Sequence, residues 1–120
     1  MQNNRSVGDR YEGLATKLLI SRGYEILERN YRVKAGEIDI IARIEDTIVF
    51  VEVKYRKDSK FGYGIEAVDY RKIRRIYKAA EIYLTLNRKL SSKIRFDCIS
   101  FLGKKISWTK NLTWGDEIGF

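Results

Sequence analysis

The chain has 120 residues, with 24 Lys and Arg against 16 Asp and Glu, one Cys and neither His nor Pro, which suits one folded domain carrying a net charge of +8. No Ser-His-Asp or Cys-His site, no imidazole-bound zinc, no thiolate zinc cluster and no intrachain disulfide can be built from it, so any chemistry rests on carboxylates, lysines, hydroxyls or a metal held by oxygen. The charge favours an anionic partner, nucleic acid ahead of an acidic membrane surface, and 44% apolar with 33% charged residues argues against disorder.

In chain order, Ser6-Val-Gly-Asp9 has the form of a capping box, and Val7, Tyr11, Leu14, Ala15, Leu18 and Leu19 then follow helical spacing up to Gly23, a helix-ending glycine. Tyr24 to Arg32 reads as a first strand, Lys34-Ala-Gly36 as a turn and Glu37 to Arg43 as a second strand. Glu45-Asp46 forms a hairpin turn into a third strand, Thr47 to Tyr55, rich in Val, Ile and Phe. Residues 56–65 read as a loop. Asp69 is a candidate cap for a long helix with Ile73, Ile76, Tyr77, Ala80, Tyr83 and Leu84 on one face and Arg71, Arg75 and Lys78 on the other. Lys93 to Phe101 is a fourth strand, with Cys98 expected as a buried, inert thiol, and Lys104 to Thr109 is a candidate fifth.

The order α-β-β-β-α-β(β) predicts an α/β fold, a mixed central sheet flanked by helices. No apolar run is long enough to span a membrane and the start lacks the apolar stretch of a signal peptide, so a cytoplasmic location is the expectation.

Gly36-Glu-Ile-Asp-Ile-Ile-Ala42 and Val49-Phe-Val-Glu-Val-Lys54 carry the chemistry. Period-two alternation sets Glu37 with Asp39 on one strand face, and Glu52 with Lys54 on one face of the next. A hairpin pivoting on Asp46 puts Asp39 across from Val53, between Glu52 and Lys54. Carboxylates and an ammonium converging in a sheet are costly unless compensated. Mg²⁺, which takes one or two carboxylates plus waters and phosphate oxygens, would compensate them. A structural ion-pair cluster is the alternative, and Glu37 is open between a third metal carboxylate and a solvated hairpin residue.

Asp39 followed by Glu52-Val-Lys54 resembles the PD-(D/E)xK nuclease signature. More closely, GEIDIIA, VFVEVKYR, AVDYRKIRR and RFDCISF in this order resemble the YraN family of small bacterial proteins, grouped with archaeal-type Holliday-junction resolvases in the restriction-endonuclease-like fold. The likeness runs from about Gly8 to Phe101 and implies an endonuclease-like unit over residues 1–103, with 104–120 as a C-terminal strand and tail of the same domain. It implies Asp39 and Glu52 as ligands of Mg²⁺ or Mn²⁺, Lys54 as the motif lysine that orients the attacking water, and Glu12 as the first-helix glutamate near the metal. Helical geometry is compatible with that last role, since Glu12 falls ~20° from Leu19 at ~100° per residue. Ile38 stands where the signature nominally has proline, and Tyr55 where many members have threonine.

From Lys54 to Lys78 nine basic residues stand against three acidic ones, +6 of the chain's +8. A solvated helix face would explain such a run; together with the resemblance it points to phosphate-backbone contacts by Arg56, Lys57, Lys60, Arg71, Lys72, Arg75 and Lys78. Lys72 lies at the flank of the apolar stripe, toward the sheet, and Phe61 and Tyr63 suit base stacking or plain loop packing. The expectation is a metal-dependent DNA endonuclease, acting on branched DNA such as Holliday junctions and forming a homodimer as resolvases imply, with no organic cofactor and no membrane partner. The alternative is a non-catalytic DNA-binding, or RNA-associated, protein that retains the fold.

Overall fold

The computed structural model describes residues 4–56, 70–89 and 92–112, with side chains from Val7 onward. The elements are α1 (Asn4–Ser21), β1 (Glu25–Val33), β2 (Gly36–Ile44), β3 (Thr47–Arg56), α2 (Tyr70–Leu86), β4 (Lys93–Leu102) and β5 (Lys105–Thr109). They build one mixed sheet of five strands in the order β1-β2-β3-β4-β5. Neighbours are antiparallel except β3 and β4, which run parallel. A parallel pair needs a long crossover, and the segment carrying α2 supplies it. The α/β expectation therefore holds.

The two helices cover opposite faces. On one, Ile73, Ile76, Tyr77, Ala80, Tyr83 and Leu84 of α2 pack on Ile38, Ile41, Ile48, Phe50 and Phe96. On the other, Ala15 and Leu19 of α1 pack on Ile40, Ala42, Val49, Val51 and Ile99. The α2 face is the one its spacing predicts. In α1, Leu14 is exposed instead of buried. It lies ~140° around the helix from Leu19, so it cannot join a stripe that runs through Ala15 and Leu19.

α1 begins at Asn4, so Ser6 lies inside the first turns and does not cap the helix. Nothing between Asn4 and Ser6 breaks the turn. The other end is the expected one. Gly23 has φ +88°, Tyr24 N–H donates to Leu19 O and Gly23 N–H to Ile20 O, both at 3.0 Å, a Schellman closure. Gly36 has a different reason to be glycine. A Cβ there would lie 2.0 Å from Arg75 O, so α2 backbone rests directly on the start of β2.

At the other edge, Asp97 is 1% exposed yet fully bonded. It accepts from Arg95 Nε and Nη2, from Trp108 Nε1 at 2.9 Å and from Asn111 N at 3.0 Å. This pins the β4–β5 hairpin. Cys98 is fully buried, and burial raises its pKa, in keeping with an inert thiol. No helix among the described residues is long and apolar enough to cross a membrane. Asp69, Phe61, Tyr63 and the tail beyond residue 112 lie outside the described residues.

Candidate functional site

β2 and β3 pair from Ile44↔Thr47 to Ile40↔Val51, and no further. β3 continues alone with β4 as far as Arg56↔Leu102. Asp39 is the first residue of β2 beyond the shared ladder. Its Oδ2 accepts the Val53 N–H at 2.8 Å, so a side chain replaces the missing backbone acceptor. The register differs by one residue from that expected of a pivot on Asp46. The turn is the two-residue Glu45-Asp46, with Glu45 at φ 54°, so the pivot falls between them. Continued one step, this register sets Asp39 opposite Glu52.

The strands are also broken in phase here. Ile38 packs on the α2 face and Ile40 on the α1 face, although strict alternation would put them together. β1 shows the same switch, with Arg29 reaching Glu12 of α1 and Tyr31 packing under α2. Between them Asn30 takes φ 52°, a conformation Asn tolerates better than most residues. Asp39 thus sits where the sheet changes face and opens to both sides.

Two cavities meet at Asp39. The one toward α1, about 240 Å³, is lined by Asp39 with Asp9, Tyr11, Glu12, Glu37 and Tyr55 among others. The rings of Tyr11 and Tyr55 stack in it at 4.1 Å. The one toward α2, about 470 Å³, is lined by Asp39, Glu37, Glu52, Arg71, Lys72 and Arg75 together with Val53 and Ile76. α2 therefore delivers three cations to the carboxylates, held there by its contact at Gly36.

Glu52 is 7% exposed, and Lys72 Nζ lies 3.0 Å from its Oε1. Burial, then the neighbouring Asp39, pushes the Glu52 pKa up to about 8, against the pull of Lys72. Burial opposes the charge on Lys72, but Glu52, Asp39 and Glu37 outweigh it and raise its pKa. Glu12, on the α1 side, is 6% exposed and 3.5 Å from Arg29 Nε. Its pKa is raised by burial and by Asp39. Glu37 forms an exposed pair with Arg32 at 3.4 Å.

The structure thus gathers Glu12, Asp39, Glu52, Arg71, Lys72 and Arg75 around one opening. Lys54 and Arg56 line a separate cavity with β4 and β5 residues. Lys78 is exposed on α2 and lines neither cavity at Asp39, whereas Lys57 and Lys60 lie outside the described residues. Among the described residues no three Asp, Glu or Cys side chains form a ready-made metal cage. Lys72, expected both as a phosphate contact and toward the sheet, lies beside Glu52. Its position at the flank of the apolar stripe was the available signal for its pairing with Glu52. The Tyr11–Tyr55 stack had none, because it depends on how α1 lies over β3.

The model of the uncharacterised protein family UPF0102 matches residues 11–101, a span that holds Glu12, Asp39, Glu52, Arg71, Lys72 and Arg75. The chain belongs to the UPF0102 family. A UPF0102 protein of Fusobacterium nucleatum is 53% identical over 118 residues, covering 98% of this chain and 99% of its own. One of Clostridioides difficile is 47% identical over 91% of this chain and 97% of its own, and one of Dictyoglomus turgidum 44% over 88% and 93%. UPF0102 membership accounts for the YraN-type resemblance over most of the chain.

Proposed function

We propose that this UPF0102 protein is a divalent-metal-dependent phosphodiesterase acting on DNA, of the PD-(D/E)xK kind. The observation that carries the reading is the buried Glu52 beside Asp39 at the point where β2 leaves β3, with Arg71, Lys72 and Arg75 lining the same opening. A carboxylate whose pKa stands at about 8 because of burial and a second carboxylate is short of positive charge. Asp39 and Glu52 fit an oxygen-seeking dication, which needs only one or two carboxylates, and Glu12 would approach from the α1 side. Bound there, Mg²⁺ or Mn²⁺ would polarise a phosphate oxygen and lower the pKa of a water.

The chain's own residues do the rest. Val53 N–H fixes the Asp39 carboxylate, and Lys72 fixes Glu52. Lys54, the next residue on the Glu52 face of β3, orients the attacking water and offsets charge on phosphorus. Arg71 and Arg75 hold the backbone without reading bases. Branched DNA as the substrate and a two-fold dimer rest on the resolvase resemblance.

The placing of Lys54 in a separate cavity favours a second reading, a non-catalytic nucleic-acid-binding protein of the same fold. Single-turnover assays on duplex, flap, single-stranded and four-way-junction DNA with Mg²⁺ or Mn²⁺ separate the two. The nuclease reading expects metal-dependent cleavage abolished by Asp39→Ala and strongly reduced by Lys54→Ala. Binding without cleavage of any substrate would favour the second reading.

A further inference from the structure

The cavity that takes Lys54 lies at the far end of β3, beyond the opening at Asp39. Alternation places Glu52, Lys54 and Arg56 on one face of β3. The parallel register sets Lys54 beside Ser100 and Arg56 beside Leu102. The next pairing sets Ser100 beside Ser107 and Leu102 beside Lys105. Two rungs result, Lys54–Ser100–Ser107 and Arg56–Leu102–Lys105. All six residues line one cavity of about 130 Å³.

The chemistry of these rungs is one-sided. Three basic and two hydroxyl residues line the space beside Phe101, Leu102 and Ile106, and no carboxylate lines it among the described residues. Arg56 Nε is shut off from solvent and donates to no acceptor among the described residues. A buried guanidinium N–H without an acceptor is costly, so Arg56 is short of acceptors in this structure. The alkyl stems, Phe101, Leu102 and Ile106 form the mainly apolar walls, along which the basic and hydroxyl residues are set.

We propose that this cavity is a second phosphate-binding subsite. In it Lys54, Arg56, Ser100, Lys105 and Ser107 hold a phosphodiester of a nucleic-acid strand next to the one at Asp39 and Glu52. The assignment to a strand rests on the nuclease reading; the donor set does not. Alternate strand residues are ~6.6–6.8 Å apart, about one nucleotide step of an extended single strand. A strand lying along β3 therefore brings one phosphate to Glu52 and the next to Lys54 and Arg56. Lys54 stands between the two phosphates, serving the attacking water at the carboxylates and the bound phosphodiester beside it, and so couples strand binding to the reaction centre.

Amide NMR of the full chain tests this, with inorganic phosphate and a single-stranded DNA tetranucleotide as probes in metal-free buffer. The expected result is shifts centred on Ser100, Lys105 and Ser107 with both probes, and tighter binding of the tetranucleotide. Lys105→Gln or Ser107→Ala should weaken binding about fivefold or more, as loss of a charge-assisted contact implies, and Lys17→Gln on α1 should not. Two variants guard against misfolding of either. Shifts spread over all basic residues, or Lys105→Gln no worse than Lys17→Gln, would overturn the subsite. A tetranucleotide bound no better than phosphate would overturn its assignment to a strand. Metal-dependent cleavage unaffected in Lys105→Gln would sink the subsite and leave the nuclease reading standing. Localised phosphate binding without cleavage of any substrate does the reverse.

Discussion

Lys72 Nζ lies 3.0 Å from Glu52 Oε1, a half-exposed helix cation against a buried strand carboxylate. Removing one partner of such a pair leaves the other uncompensated, and that costs more than the pair is worth. Lys72→Met should destabilise the metal-free protein by about 1–3 kcal/mol above about pH 8, where Glu52 carries its charge, less than the usual cost for a buried pair because Lys72 is half exposed. In a Glu52→Gln background the same change should cost under about 0.5 kcal/mol. Urea denaturation of the four proteins checks this, and additive effects would mean that the pair is not an energetic unit.

The same carboxylate gives stability a pH dependence. The Glu52 pKa rises from 4.5 to about 8 on folding, so the folded chain binds more protons than the unfolded one in between. Stability from this group is therefore full below about pH 4.5, falls as pH rises, and levels off above about pH 8. Glu12 is shifted in the same direction. The loss should amount to a few kcal/mol, and Glu52→Gln should remove most of it. Thermal melts across this range read the slope directly. Added Mg²⁺ should raise the melting temperature most at the alkaline end, where both carboxylates are charged. A flat profile in the native chain would mean that Glu52 is ionised without penalty.

What could be read in advance followed from periodicity. The α2 stripe of Ile73, Ile76, Tyr77, Ala80, Tyr83 and Leu84 has a single phase, and the structure buries all six. Glu-Ile-Asp-Ile-Ile-Ala has none, because Ile38, Ile40, Ile41 and Ala42 are all buried. A run apolar on both faces cannot announce a switch of face, so the break at Asn30 and Asp39 was hidden. The nearness of Asp39 to Glu52 survived because any short hairpin through Glu45-Asp46 produces it. Lys54 went the other way. Its strand position was clear, but which of two neighbouring cavities it lines depends on β5, far along the chain.

Gly36 links the fold to the opening. A methyl group there would meet Arg75 O at 2.0 Å, too close for any relaxation short of moving α2. Gly36→Ala should cost about 2–4 kcal/mol, at or above the usual range for overpacking, because backbone rather than side chain must yield. Arg71, Lys72 and Arg75 would move with the helix, so nucleic-acid affinity should fall along with the melting temperature. Unchanged stability would show that α2 is not seated on β2 as described.

The cations at that seat should be separable from the other charges of α2. Arg71 and Arg75 line the cavity with Asp39 and Glu52, and Lys78 does not. If the two arginines each neutralise one phosphate, Arg71→Gln with Arg75→Gln should flatten the plot of log affinity against log salt by about 1.5–2 for duplex DNA. Lys78→Gln should change the slope by less than about 0.5, since a charge outside the footprint releases few counterions. Fluorescence anisotropy at several salt concentrations measures both. An equal effect of Lys78 would mean that the whole outer face of α2 contacts the strand, with no special role for the residues beside the carboxylates.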